Sequence, residues 1–122
     1  MTTASAFRIP PLNKRKRIPM RAIRALVMHI AEKFQPEEII LFGSHAYGKP
    51  KAWSDVDLLV VMDTPKGEFA TSHAIVTSMP PITFSVDIIA RSRPAIRKRI
   101  QMGDRFMKEI TEKGKVLYAR DH

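Results

Sequence analysis

The chain has 122 residues and 44% apolar content, enough for one small domain with a single core. It has no cysteine, which excludes disulfides and thiolate metal sites. Its net charge of +9 favours polyphosphate, nucleic acid or an acidic partner without choosing among them, and no run is apolar enough for a membrane span.

Residues 1–18 carry no helical or strand period. They contain Pro10-Pro11 and the basic run Lys14-Arg15-Lys16-Arg17, and read as a basic, partly mobile arm. No opening segment has the form of a secretory signal, and the Arg/Lys-rich, acid-poor start keeps a transit peptide as an alternative; the absence of cysteine fits the cytoplasm, which is the expected location. Residues 19–122 read as one domain. Pro19 suits the first turn of a helix. Ile23, Leu26, Val27, Ile30, Ala31 and Phe34 then recur at three-four spacing, and Pro36 stops the pattern.

Glu37 to Phe42 carries the continuous apolar run Ile39-Ile40-Leu41-Phe42 and predicts a short strand buried on both faces. Gly43 breaks it, Ser44 to Tyr47 forms a helical turn, and Gly48 to Ser54 is loop. Asp55 to Met62 predicts a second strand, followed by the turn Thr64-Pro65-Lys66-Gly67. Glu68 to Ser78 predicts a weakly amphipathic helix closed by Pro80-Pro81. Ile82 to Ala90 predicts a third strand, with Ile82, Phe84, Val86 and Ile88 on one face and Thr83, Ser85, Asp87 and Ile89 on the other. Pro94 starts a helix to about Gln101. Asp104 caps another, with Phe106, Met107 and Ile110 inward and Gly114 as its stop. Lys115 to Ala119 is a last strand. Such alternation predicts an α/β or α+β domain with one small mixed sheet flanked by helices.

The chemistry concentrates between Gly43 and Asp57. Asp55 and Asp57 lie two apart on a strand, so their side chains leave one face with α-carbons about 7 Å apart. Two carboxylates there repel each other and lose hydration, which a divalent cation relieves. All-oxygen ligands favour Mg2+ or Mn2+ over zinc, with substrate phosphates completing the shell. Asp87, inside Ser-Val-Asp-Ile-Ile, is costly to bury unpaired. On a neighbouring strand it would face the same metal, as ligand or as general base. Gly43 lets backbone approach an anion, and the turn amides with the Ser44 hydroxyl would donate to phosphate. His45 reads as a surface histidine rather than a phosphate contact. Tyr47 and Trp53 read as packing beneath the loop rather than as base-stacking groups. Lys49 and Lys51 fit phosphate and solvent equally. His29, His73 and His122 lack metal-ligand spacing.

Gly43-Ser44-His45-Ala46-Tyr47-Gly48, five residues, then Ser54-Asp55-Val56-Asp57 resembles the signature of the minimal nucleotidyltransferases, within the DNA polymerase beta superfamily. The resemblance covers about residues 20–120, including Gly114-Lys115-Val116-Leu117-Tyr118. It implies the polymerase beta-like nucleotidyltransferase fold, Mg2+ on Asp55 and Asp57 with Asp87 completing the catalytic carboxylates, and nucleotide binding by Gly43, Ser44 and Ser54. It implies transfer of AMP from ATP to a hydroxyl. Many stand-alone members of this size resemble antitoxins that silence a HEPN ribonuclease toxin, in some cases by adding AMP to a tyrosine. Two departures stand out: His45 occupies a position where the family often has arginine, and the basic arm is outside the family pattern.

The reading is therefore a metal-dependent transferase acting on a partner protein, since so small a domain leaves little room for an acceptor pocket of its own. The alternatives are transfer to RNA or a small molecule, or a non-catalytic basic module that binds a toxin or, through the arm, nucleic acid.

Overall fold

In a computed structural model, residues 18–51 and 54–120 are described. Nearly all of the arm 1–18, together with Trp53 and His122, falls outside them; Ile18 is buried and packs in the core.

Helix α1 (Met20–Phe34) follows Pro19 and buries Ile23, Leu26, Val27, Ile30 and Ala31. It ends at Gln35, whose φ of 50° is left-handed, just before Pro36. Strands β1 (Glu38–Phe42) and β2 (Val56–Val61) pair antiparallel, with the turn α2 (Ser44–Tyr47) and a loop between them. Helix α3 (Glu68–Ser78) carries the chain back to β3 (Val86–Arg91), which pairs parallel with β2. Helices α4 (Arg93–Gln101) and α5 (Arg105–Lys113) lead to β4 (Lys115–Ala119), antiparallel to β1. The mixed sheet has the order β3-β2-β1-β4, as the alternation of elements predicts.

Period-two alternation splits the core in two. Ile39, Leu41, Val56, Leu58 and Val60 meet α1 and Ile75 of α3 on one face. Ile40, Phe42, Leu59 and Val61 meet Ile96, Met107 and Ile110 of α4 and α5 on the other. Ser92 and Asp104 cap these two helices by accepting from the amides of Ala95 and Met107. An ion pair of 2.8 Å from Arg93 to Glu38 ties α4 to β1.

Several expectations change. β2 starts at Val56, so Asp55 stands just before the strand rather than on it. β3 starts at Val86, not Ile82, because the ladder begins where Val56 of β2 meets Val86. Gly114 stops α5 without left-handed backbone, at φ −65°. Its role is close approach: a Cβ there would collide with the Ile110 carbonyl and the Ile40 side chain. Phe106 is 54% exposed rather than inward, while Met107 and Ile110 are buried.

Candidate active site

The acids meet at one end of the sheet. Asp57 and Asp87 are direct partners in the β2–β3 ladder, so their side chains share a face. The alternation assigns that face to α4 and α5, since Leu59, Val61 and Ile89 lie on it. Asp55 is two residues before Asp57 and is exposed. Asp87 is exposed and Asp57 half-buried. Phe42 is the partner of Asp57 across β1, and its ring meets Phe106 edge-on at 5.7 Å. Reading along the ladders, the row is Asp87, Asp57, Phe42.

Asp57 shows what this crowding does. Its carboxyl is pushed up to about 6, first by burial, then by the charges of Asp87 and Asp55, and by hydrogen bonding to Asp87. No salt bridge among the described residues involves any of the three. Nor do three or more His, Asp or Glu among them already form a cage that could hold a metal.

The Gly43 turn packs against Asp57. Its φ of 76° is left-handed, and a Cβ there would run into Oδ2 of Asp57. Only glycine lets the β1 end pass so close to that carboxylate. The Gly43 carbonyl accepts from Ala46 and Tyr47, and the Ser44 carbonyl from Gly48. The Ser44 and His45 amides, in the opening turn, give no bond to any described carbonyl.

His45 is buried, 8% exposed, contrary to the surface position expected for it. Its Nε2–H donates to the Ser54 carbonyl at 3.0 Å, which fixes the tautomer. The Ser54 hydroxyl accepts from the Lys51 amide at 2.9 Å. His45 thus fastens the Gly-Ser turn to the residue before Asp55, and Ser54 is engaged in shaping the loop. Tyr47 is 38% exposed at the rim. Sequence reasoning missed Phe42 as a neighbour of the acids, although the same alternation that buries Ile40 puts Phe42 on that face.

A family model described as a nucleotidyltransferase domain matches residues 23–119. The chain belongs to the nucleotidyltransferase domain family. The match spans every element from the first turn of α1 to the end of β4. Nucleotidyltransferase domains generally use nucleoside triphosphates and divalent metals. A crystal structure of a proposed nucleotidyltransferase from Sulfolobus solfataricus shares the fold, with a TM-score of 0.57 and 19% identity over 82% of this chain and 79% of that one. No protein of curated function matches the sequence.

Proposed function

We propose that this nucleotidyltransferase moves AMP from ATP to a hydroxyl of a partner protein, and that it acts in the cytoplasm as the antitoxin of a HEPN ribonuclease toxin. The observation that supports catalysis most is the level pairing of Asp87 with Asp57, the carboxylate against which the Gly43 turn is pressed. A solvated pair of strand-end acids would not need glycine backbone pressed against one carboxylate.

The donor set fits a hard divalent cation. It is all oxygen, it is short of positive charge, and burial followed by the charges of Asp87 and Asp55 pushes the Asp57 carboxyl up to about 6, a penalty that a cation would relieve. Asp55, Asp57 and Asp87 would hold Mg2+ or Mn2+, which neutralises charge on the triphosphate when bound. Gly43 lets the backbone approach that triphosphate, and the Ser44 and His45 amides with the Ser44 hydroxyl orient it. The acceptor oxygen attacks the α-phosphorus, a new O–P bond forms, and the bond to the bridging oxygen breaks. Pyrophosphate leaves with that electron pair. Asp87, the exposed member of the ladder pair, takes the hydroxyl proton.

Incubating the chain with α-labelled ATP, Mg2+ and the protein encoded beside it tests the reading. Label should appear on that protein with wild type and not with Asp57→Ala. Equal labelling by both, or none by either, contradicts it.

A further inference from the structure

The outer edge of β3 has room for another strand. In the β2–β3 ladder, Val56 donates to the Ser85 carbonyl and Met62 to the Arg91 carbonyl. Odd-numbered residues of β3 therefore face β2, and the amides and carbonyls of Val86, Ile88 and Ala90 face outward. Helix α3 occupies one of these groups: Ser72 Oγ accepts from the Ala90 amide at 3.0 Å. No described group bonds the outward side of Val86 or Ile88. Natural edges are usually blunted by charge, proline or a bulge; here there is neither proline nor bulge, and the one charge between Val86 and Ile88 is Asp87 itself.

A groove of about 590 Å3 runs between this edge and α3, lined by Val86, Asp87 and Ile88 on one side and Phe69, His73 and Val76 on the other. The α3 residues follow i, i+4, i+7 spacing, so they form one stripe. Phe69 is 85% exposed and Val76 45%, and the Phe69 and His73 rings stack with centroids 6.4 Å apart. The weak amphipathicity of α3 has this origin: only Ile75 is buried beneath it, and a second apolar stripe lies beyond the last strand.

We propose that this edge takes an extended polypeptide segment as a fifth strand, laid over the α3 stripe. The inference deepens the protein-acceptor reading above and rests on it for the purpose of docking. The residue paired opposite Asp87 would share its face, which brings a Tyr, Ser or Thr hydroxyl to that carboxylate. Backbone donors and acceptors beside an apolar stripe recognise a strand. A nucleic acid would need free cations, and the groove's arginine, Arg91, is paired with Glu68 at 3.4 Å.

The test is amide exchange followed by NMR on the full chain without nucleotide. The probe is a peptide of about nine residues alternating valine and threonine around a central tyrosine. Its control is the same peptide N-methylated at alternate amides. The Val86 and Ile88 amides should exchange freely in the chain alone and slow about tenfold or more with the plain peptide only. Ile88→Pro removes an outward amide and no bond to β2, so it should abolish Val86 protection. Val76→Lys, at an exposed position, should weaken peptide binding about tenfold with the fold intact. Equal binding of the N-methylated peptide, protection by oligothymidylate instead of peptide, or concentration-dependent protection in the chain alone would each overturn the proposal. Repeating the experiment with the protein encoded beside this chain, labelled ATP and Mg2+ separates the two ideas: docking at the Val86 and Ile88 amides without label transfer refutes the transfer reading and leaves the docking edge standing.

Discussion

The two ends of one sheet face have opposite characters. Toward the ends of β1–β3 farther from Asp57 and Asp87, Leu59, Val61 and Ile40 lie buried under Ile96, Met107 and Ile110 of two short helices. At the other end the same alternating positions carry Asp57 and Asp87, flanked by Phe42. Helices α4 and α5 have only nine residues each, about 13 Å of rise, and the acids lie past the apolar side chains that they cover. A strand pair can therefore be core along one half and acidic along the other, with no change in period.

The sharpest break is to exchange the two roles. Asp57→Ala should lower nucleotidyl transfer by about a thousandfold, near 4 kcal/mol of barrier, and leave the fold intact. Leu59→Ala, two residues on, should cost about 2–5 kcal/mol of stability in denaturant titrations while each folded molecule keeps its rate. If both variants behaved alike, the division of the face would be wrong.

Gly43→Ala comes next. It places a Cβ at left-handed φ and against Asp57. Transfer should fall about a hundredfold, and stability by about 1–3 kcal/mol, read from kcat and from thermal melts. A smaller loss is expected for His45→Ala, which strands the Ser54 carbonyl at a cost of about 1–2 kcal/mol. KM for the metal–nucleotide complex should rise with it, and His45→Gln should restore part of both.

These effects also show which features a sequence exposes. The Gly-Ser turn, the Asp-x-Asp strand end and the caps at Ser92 and Asp104 are local chemistry, and Asp104 and the two motifs were legible from neighbours a few residues apart. Asp87 was legible through alternation alone, because its partner on β2 has the same period. His45 was not, since its hydrogen bond reaches a carbonyl nine residues on, across a loop. The start of β3 was misread because Ile82 to Ser85 alternates like a strand, but the ladder with β2 begins at Val56. Phe106 has core spacing but stands in the first turn of α5, where it reaches Phe42 edge-on and stays half in solvent.

The smallest effect concerns pH. The folded-state value of Asp57, about 6, lies above the ordinary 3.8, so the folded chain binds more protons between those values. Any stability linked to this proton is fully present below about 3.8 and lost as pH rises through about 6. Asp57→Asn should therefore raise Tm at pH 8 relative to wild type, and by less at pH 4. No such difference would mean that neither burial nor the neighbouring acids penalise the Asp57 carboxylate.

Calorimetric titration of ATP with and without Mg2+ into wild type and Asp57→Ala tests the cation-and-nucleotide site most directly. Wild type should bind only with the cation, and the variant at least about a hundredfold more weakly. Equal affinity in the two proteins, or binding indifferent to Mg2+, would contradict a nucleotide site built on these carboxylates.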